Sequence, residues 1–379
     1  MKTIDKERQM IREAAEKTAQ RIVQPRAAEI DASQEFPPDL IEALGKQGFF
    51  SILLPEQFGG TNGDVTSFCL VIEEIAKVCG SSSLLILAQG LGILPVLLAG
   101  DSSQKERCLT QISEENRLAA FALSELEAGS DASSLRTRAQ RQGKGYLLNG
   151  RKRFVTNGSM AQFYSVFAVT DPGKGSRGIS SFVVDDRTPG LRFGPREKKV
   201  GMRGLATTDL IFEDCMIPQE NRLGEEGGGW QTAMRSLTVS RPAVGAQAVG
   251  IAQGALDFAI GYANERSQFG KPIASFQAIQ FMIADMATLV EAARALVYQT
   301  AGKMNSLSGG PERLSPMARS FASDVAMRVT TDAVQILGGY GYMRDYPVER
   351  MMRDAKVTQI YDGANQIQKL VLADHLLPE

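Results

Sequence analysis

The hydrophobic pattern of the chain changes twice, near Arg117 and again near Gly227. Before and after this interval, apolar residues recur every three or four positions, which is typical of amphipathic helices. Within it, short apolar runs are separated by turn residues, which is typical of strands. A chain of 379 residues has room for three such units. The sequence therefore predicts a mainly α protein with a central β domain: an N-terminal helical domain (1–117), a small β-barrel-like middle domain (118–226) and a C-terminal four-helix-type bundle (227–379).

Four helical segments are expected in the first domain. Ile11, Ala15 and Ile22 lie on one apolar stripe, and Pro25 ends or kinks the helix that carries it. The other three segments are predicted at 40–48, 65–78 and 83–98.

The clearest strand signal is GYLLNGRKRFVTNG at 145–158, in which Asn149-Gly150 predicts a two-residue turn of type I′ between two strands. Long Ala-rich helices are predicted at 246–266 and 276–305. Helices of this length pack against others, either within a bundle or across a subunit interface. Further strands are expected at 163–169, 179–184 and 210–212.

Charge and composition argue against several classes of protein. The 42 basic residues balance 43 acidic ones, so the chain as a whole has no attraction to nucleic acid or to anionic membranes. His375 is the single histidine, which argues against a metal site and against Ser-His or Cys-His catalysis. The four cysteines have no CxxC spacing and are expected as small core residues in a reducing compartment: Cys69, Cys79, Cys108 and Cys215.

Membrane, secretory and common nucleotide-binding signals are not predicted. No apolar run approaches the roughly 20 residues of a membrane helix, and the charged N-terminus lacks the apolar core of a secretory signal, so a cytoplasmic location is expected. The segment 90–95 lacks the third glycine of a dinucleotide fingerprint and lies in a helical stretch. Since a P-loop is also missing from the sequence, Rossmann-type NAD enzymes and P-loop ATPases are disfavoured.

Three separated segments carry a family resemblance: FALSELEAGSD at 121–131, ERSQFGKPIASFQAIQ at 265–280 and QILGGYGYMRDYPVERMMRDAKVTQIYDGANQIQ at 335–368. Together and in this order they resemble the acyl-CoA dehydrogenase family, flavoenzymes that oxidise acyl-CoA thioesters to enoyl-CoA. The resemblance covers essentially the whole chain. It implies FAD as the cofactor, an acyl-CoA substrate and an electron-transfer flavoprotein as the electron acceptor.

The loop that begins at the first segment is ambiguous from its residues alone. The hydroxyls of Ser124 and Ser130 suit a pyrophosphate or a flavin edge, but an ordinary Ser-rich turn has the same composition. The resemblance implies that Ser124 contacts the flavin pyrimidine and that Ser130 contacts the cofactor phosphates or CoA. It also implies that Phe154 stacks near the isoalloxazine ring and that Thr156 donates to flavin N5, although a phenylalanine in a strand also suits core packing. Leu126 departs from the family, which commonly has proline there.

A second set of residues is implied to reach the FAD of a neighbouring subunit. Arg266 suits a pyrophosphate because its guanidinium makes charge-assisted hydrogen bonds, whereas a lone arginine at a helix end is usually only solvated. In the family this arginine acts together with the equivalents of Phe269, Gln277, Gln335 and Gly339. The active unit is then at least a dimer, and a homotetramer built as a dimer of dimers is expected. By resemblance, the cofactor also contacts Phe121, Leu123, Ala364 and Gln366.

Oxidation of an acyl-CoA requires a carboxylate that removes the α-proton. In the family this base is most often the Glu of a YEG triplet, and the corresponding residues here are Tyr361, Asp362 and Gly363. Some relatives place the base before an arginine of the first bundle helix, but here Ser240 precedes Arg241. Asp362 is therefore the matching carboxylate, although its side chain is one methylene, about 1.5 Å, shorter.

The shorter base leaves three interpretations open: the substrate or its loop moves to meet Asp362, the base lies elsewhere with altered regiochemistry, or the site is inactive. Extra room at Cα favours a branched or alicyclic acyl group such as cyclohexanecarboxyl, and the uncharged Ser82 argues against a dicarboxylate. Two other functions are considered, a flavin-dependent oxidase or monooxygenase and a non-catalytic helical scaffold. Substrate contacts are expected from Ser130, Gln89, Arg241 and Tyr361.

Overall fold

Helices form both ends of the chain and a β sheet forms its middle in the computed structural model, which describes residues 2–305 and 311–377. The fold is 60% helical, and the predicted fold class is confirmed. The first group of helices ends at Glu115, the main sheet runs from Ala119 to Leu223, and the next helix begins at Gly229. The domain limits placed after residues 117 and 226 stay predictions.

The N-terminal part contains α1 (Lys2–Thr18), α2 (Ala27–Ser33), α3 (Pro38–Lys46), α4 (Val65–Ala76), α5 (Gly80–Ala99) and α6 (Ser102–Glu115). Between α1 and α2 the chain passes through a π-helical turn and then a 3-10 turn that contains Pro25. The proline thus lies where the regular helix is interrupted, because it has no backbone N–H to continue the helical hydrogen bonds.

The main sheet contains β1 (Ala119–Ala122), β2 (Arg138–Gln142), β3 (Gly145–Thr156), β4 (Phe163–Val169), β5 (Ile179–Asp185), β6 (Leu191–Phe193), β7 (Thr207–Pro218) and β8 (Arg222–Leu223). The strand order is β6-β7-β3-β2-β4-β5-β8, and β1 pairs in parallel with β4. Helix α5 lies directly on β1, since a Cβ on Gly92 would be 2.8 Å from the Ala119 backbone. The loop that follows β1 therefore begins where the N-terminal helices meet the sheet.

The turn predicted at Asn149-Gly150 is wrong. Strand β3 continues through these residues, and its hairpin with β2 turns earlier, at Gly143 (φ +57°). Gly150 (φ +145°) occupies a bulge opposite β7, where a Cβ would lie 2.6 Å from Oγ1 of Thr137. Asn149 bonds across the bulge to Asp214, donating to its carboxylate at 3.0 Å and accepting from its backbone N–H at 2.8 Å. The glycine permits a close approach within a strand, a role that a local turn signal does not distinguish.

The C-terminal part contains α7 (Gly229–Glu265), β9 (Ser267–Gln268), β10 (Lys271–Pro272), α8 (Gln277–Asn305), α9 (Pro311–Leu337), α10 (Pro347–Thr358) and α11 (Asn365–Leu376). Helix α7 is longer than predicted because it continues through Pro242. That proline cannot donate to the carbonyl of Thr238, which instead accepts from Oγ of Ser315 on α9 at 3.0 Å. A neighbouring helix thus supplies the hydrogen bond that the proline removes.

The expectation that no apolar run approaches the length of a membrane span is wrong. Helices α5 and α7 are each long and apolar enough by length and composition, and residues 78–100 carry no charge at all. Most of the apolar window is buried inside the fold, 83% in α5 and 78% in α7. Both helices therefore have the surroundings of core helices, and Gln89 of α5 and Gln247 of α7 make hydrogen bonds within the protein.

Candidate active site

Asp362 lies in a tight turn between α10 and α11. Its backbone is left-handed (φ +53°), and so is that of Gly363 (φ +87°), a conformation that an aspartate keeps only when its surroundings hold it. Gln368 of α11 donates to the Gly363 carbonyl at 2.9 Å. Oδ2 of Asp362 is buried and has no hydrogen-bond partner among the described residues. This oxygen is therefore available to accept a proton.

The side chain of Tyr361 holds one side of this turn. Its hydroxyl donates to Oε1 of Gln247 on α7, and Nε2 of Gln247 donates to Oγ of Ser83 on α5 at 2.9 Å. Ser83 donates in turn to the Gly80 carbonyl at 2.8 Å. The hydroxyl of Tyr361, a residue predicted to contact substrate, is thus engaged within the protein and links the turn to two helices.

Arg319 of α9 holds the other side of the turn. It is fully buried, with 0% of its surface exposed. Its guanidinium donates to the Tyr361 carbonyl and, from Nη1, to Oδ1 of Asn365 at 2.7 Å. Asn365 donates to Oδ1 of Asp324, also on α9, at 2.8 Å. One helix therefore fixes both the residue before Asp362 and the first residue of α11.

Two arginines influence the Asp362 carboxylate. Burial raises the pKa of Asp362 to about 6, against the opposing effect of the charges on Arg319 and Arg241. Arg241 of α7 is 7% exposed, and its Nε is buried without a partner in the described part of the chain. Burial and repulsion by Arg319 lower the pKa of Arg241 to about 10. At neutral pH Asp362 is therefore mostly ionised and both arginines remain charged, so the carboxylate can act as a general base.

A buried ion pair supports the loop that follows β1. Lys152 of β3 is fully buried, and its Nζ donates to the Leu123 carbonyl at 3.0 Å and to Oε1 of Glu125 at 2.6 Å. Glu125 also accepts from the backbone N–H groups of Arg136 at 2.7 Å and Thr137 at 3.1 Å. Burial lowers the pKa of Lys152 to about 8, with Glu125 acting in the opposite direction. The loop is thus tied to β3 on both sides of its predicted flavin-binding serine.

An exposed phenylalanine lies beside the same loop. Phe154 is 57% exposed and has a left-handed backbone (φ +57°). The guanidinium of Arg153 lies 4.6 Å from its ring centroid, and the Arg153 backbone N–H donates to the Ser124 carbonyl at 2.8 Å. Thr156 ends the strand and is partly exposed. A large apolar ring kept exposed on a strained backbone is typical of a surface that a ligand covers.

A second concave surface lies on the C-terminal helices, around a cavity of about 440 Å³ that Arg266 and Gly339 line. The guanidinium of Arg266 lies 5.2 Å from the ring centroid of Tyr340. No heavy atom lies within 4 Å of where a Cβ on Gly339 would be, among the described residues, so a ligand can approach its backbone. Phe269, at the turn between β9 and β10, is 93% exposed and left-handed (φ +54°). Two further predicted residues are exposed on the same domain: Gln277 and Gln335.

Gln89, predicted to line the acyl pocket, has a different environment. It is fully buried, its Oε1 accepts from the Ala119 backbone N–H at 2.6 Å, and its Nε2 donates to the Arg117 carbonyl at 3.2 Å. Both ends of the amide are therefore satisfied by backbone groups at the junction of α5 with β1, and its contact with substrate stays a prediction.

The remaining predicted site residues differ in exposure. The ring of Phe121 packs on Phe167 with centroids 4.9 Å apart, and Leu123 is 6% exposed. Ser130, Ala364 and Gln366 are all at least partly exposed. Groups of three or more potential metal ligands are not found in the residues that the structure describes.

Sequence reasoning missed the residues that hold the site from behind. These are Lys152, Gln247, Arg319 and Gln368. Because lysine and arginine side chains are usually solvated, residue type alone does not predict that Lys152 and Arg319 are buried. A signal exists for Arg319, since it shares the buried stripe of α9 with Ser315, Ala318 and Ala322. Gln247 has the same signal, since it shares the buried stripe of α7 with Ala243, Val244 and Ile251.

Family models match nearly the whole chain in three consecutive parts. The N-terminal domain of acyl-CoA dehydrogenase matches residues 5–116, the middle domain 120–215 and the C-terminal domain 227–377.

Relatives of similar sequence match over nearly the same length. The chain is 48% identical over 376 residues to "Probable acyl-CoA dehydrogenase FadE25" of Mycobacterium tuberculosis, covering 99% of this chain and 96% of the relative. It is 48% identical over 378 residues to cyclohex-1-ene-1-carbonyl-CoA dehydrogenase of Syntrophus aciditrophicus, with 100% and 91% covered. It is 45% identical over 376 residues to cyclohexane-1-carbonyl-CoA dehydrogenase of Geobacter metallireducens, with 98% and 97% covered.

Solved structures have the same fold. Butyryl-CoA dehydrogenase of Megasphaera elsdenii superposes with a TM-score of 0.95 at 43% identity, covering 98% of both chains. A chain solved in work on the electron transferring flavoprotein of Acidaminococcus fermentans superposes with a TM-score of 0.96 at 47% identity, again covering 98% of both.

FAD is the cofactor, and the residues present fit it. Phe154 and Phe269 offer exposed rings, while Arg266 and the open backbone at Gly339 offer a charge and N–H groups suited to phosphates. With matching models in all three domains and relatives at 45–48% identity over the full length, the chain belongs to the acyl-CoA dehydrogenase family of FAD-dependent oxidoreductases, which act on the CH–CH group of acyl-CoA thioesters.

Proposed function

We propose that this enzyme oxidises the CoA thioester of a neutral, branched or alicyclic acyl group to the α,β-unsaturated thioester, with Asp362 as the base that takes the α-proton. The observation that carries the proposal is that Oδ2 of Asp362, a buried carboxylate oxygen, accepts no hydrogen bond from any described residue. FAD, when bound, supplies the acceptor for the β-hydride at its N5.

The residues around Asp362 prepare it to act as a base. Two left-handed residues set the path of the turn, and the hydroxyl of Tyr361 ties it to Gln247 of α7. A general base works best when its pKa lies near the working pH, and a pKa of about 6 meets that condition. When the proton arrives, Oδ2 can hold it without losing a hydrogen bond.

The acyl group is inferred from the room and the charge at the site. An aspartate in place of a glutamate leaves space of about one methylene beside Cα. Ser82 is fully buried and uncharged, so it offers no cation to a second carboxylate. Similarity to relatives named for cyclohexene and cyclohexane carbonyl-CoA thioesters supports an alicyclic substrate.

A panel of thioesters tests this specificity. Saturating cyclohexanecarboxyl-CoA is expected to bleach the flavin absorbance of the oxidised enzyme faster than butyryl-, octanoyl- or glutaryl-CoA under anaerobic conditions. Butyryl-CoA serves as the matched unbranched control because it has the same thioester and no ring. Equal or faster bleaching by the straight-chain esters contradicts the proposed substrate class.

The cofactor is proposed to lie between two subunits. Ser124 and Thr156 belong to the middle domain, whereas Arg266 and the cavity at Gly339 belong to the C-terminal helices. Exposed apolar side chains on those helices support association into a homotetramer: Phe281 (61%), Leu370 (59%) and Leu376 (50%).

Arg266→Ala is expected to weaken FAD binding about 10-fold to 150-fold, because a charge-assisted contact to phosphate is lost. The affinity is measured by reconstituting apoenzyme with FAD, and the oligomeric state by light scattering. Arg328→Ala is the matched control, since Arg328 lies exposed on α9 in the same domain. An unchanged FAD affinity, or a monomeric holoenzyme, contradicts the shared site.

An electron-transfer flavoprotein is the proposed electron acceptor, and the cytoplasm the proposed location. The acceptor is supported by the similarity of this chain to one that was solved in work on an electron transferring flavoprotein. The oxidase or monooxygenase alternative makes a different prediction, rapid reoxidation of the reduced enzyme by air, whereas a dehydrogenase reoxidises slowly in air and quickly with the flavoprotein. The scaffold alternative is not retained, because the family members matched here are enzymes.

A further inference from the structure

Arg319 is one of the largest fully buried side chains in the protein, and the chemistry proposed above assigns it no step. We infer that Arg319 is a positioning residue for the base, holding the turn that aims Asp362 and supplying positive charge against its carboxylate. The inference rests on the proposed role of Asp362, and it concerns a residue that touches neither the acyl group nor the flavin.

The hydrogen bonds of Arg319 determine the path of the backbone through Asp362. One arm of the guanidinium holds the carbonyl of Tyr361, and the other holds the side chain of Asn365 at 2.7 Å. The three residues between these two points include both left-handed positions. A planar guanidinium can span two acceptors at fixed separation, which a lysine ammonium on a flexible stem does not reproduce.

The positive charge of Arg319 is not neutralised by its hydrogen-bond partners, so it can act on the Asp362 carboxylate. Both hydrogen-bond acceptors of its guanidinium are neutral, and its Nε is buried without a partner in the described residues. The charged and titratable groups that act on this centre are Arg241 from α7, Arg319 from α9 and Tyr361 beside the base, with Asp324 of α9 acting on Arg319. Of the two arginines, Arg319 has the larger effect on Asp362.

Two substitutions separate the geometric role from the electrostatic one. Arg319→Lys keeps a charge but loses the two-armed bridge, so the maximal rate of flavin reduction is expected to fall about 10-fold to 100-fold while its pH midpoint stays in place. Arg319→Gln loses the charge as well, so the rate falls and the midpoint moves to higher pH. Rates are measured by anaerobic stopped-flow with saturating cyclohexanecarboxyl-CoA across the pH range.

A second readout does not depend on turnover. Infrared difference spectra of the oxidised enzyme without substrate, with the Asp362→Asn spectrum subtracted, follow protonation of the Asp362 carboxyl directly. Its midpoint is expected at higher pH in Arg319→Gln and at the wild-type pH in Arg319→Lys. Arg328→Gln is the control for removing a charge from α9, because Arg328 is exposed and only loosely paired with Asp332 at 3.8 Å.

The inference is overturned if Arg319→Gln titrates as the wild type does, or if Arg319→Lys keeps the wild-type maximal rate. Should Arg319→Gln not yield folded holoenzyme, the rate and midpoint of Arg319→Lys decide the question. Asp362→Asn separates the two levels of the argument. If it reduces the flavin normally, the proposed function fails; if it is impaired while both Arg319 variants behave as wild type, only the inference about Arg319 fails.

Discussion

Replacing Lys152 by methionine is expected to destabilise the protein by about 3–5 kcal/mol, the usual cost of breaking a buried ion pair from one side. The substitution leaves Glu125 in a largely buried position and removes the donor to the Leu123 carbonyl. Burial alone raises the pKa of Glu125, and at present Lys152 and the Thr137 and Arg136 hydrogen bonds hold that pKa below its ordinary value. Without the lysine the loop after β1 loses its anchor, so FAD retention is expected to fall together with stability.

Melting temperature and the flavin-to-protein absorbance ratio measure the two effects of Lys152→Met. Lys174→Met is the matched control, since Lys174 pairs with Asp171 at 2.9 Å on the surface and its loss is expected to cost less than about 1 kcal/mol. Adding Glu125→Gln to Lys152→Met is expected to recover part of the stability, because the amide oxygen still accepts from Thr137 while the unpaired charge is gone. A Lys152→Met enzyme with wild-type melting temperature and full FAD content contradicts the role given to this pair.

The order of helices, sheet and helices could be predicted from the sequence because each part has its own hydrophobic period. The predictions of secondary structure were wrong where the same local sequence signal is compatible with two different structures. Asn149-Gly150 is a turn signal, yet a glycine is also required at position 150 by the bulge, where a Cβ would clash with Thr137. The helix predicted to begin at residue 246 instead begins at Gly229 and continues through Pro242, because Ser315 from another helix bonds the carbonyl that the proline leaves free. In each case the deciding contact is made by a residue distant in sequence.

The candidate site could be predicted only in part for the same reason. Asp362 was recognisable from its triplet, because its neighbours in sequence carry the family pattern. Arg319 and Gln247 reach the turn from α9 and α7, and only the packing of those helices brings them to it. A polar residue in an apolar helix suggests a pocket, but only the fold shows that the Gln89 amide bonds two backbone groups where α5 meets β1.

Asp362→Glu is expected to slow oxidation of cyclohexanecarboxyl-CoA, although it restores the residue most common in the family. The added methylene advances the carboxylate by about 1.5 Å into space proposed for a ring at Cα. Straight-chain thioesters lack that ring, so their flavin reduction is expected to gain relative to the alicyclic ester. Stopped-flow flavin reduction with both substrate types measures the ratio. A faster reaction of the glutamate variant with the alicyclic ester contradicts the fit between the short base and a bulky Cα.

Asp362→Asn tests the central claim most directly, because it keeps the shape of the side chain and removes its basic oxygen. The measurement is anaerobic stopped-flow flavin reduction of wild type and variant, both holding FAD, with saturating cyclohexanecarboxyl-CoA from acid to neutral pH. The wild-type rate is expected to decrease as the pH falls through about 6, where Asp362 becomes protonated. The asparagine variant is expected to lack this dependence and to react about 10²-fold to 10⁴-fold more slowly. Flavin reduction by the variant at a near wild-type rate, with the same dependence on pH, would show that another group takes the α-proton.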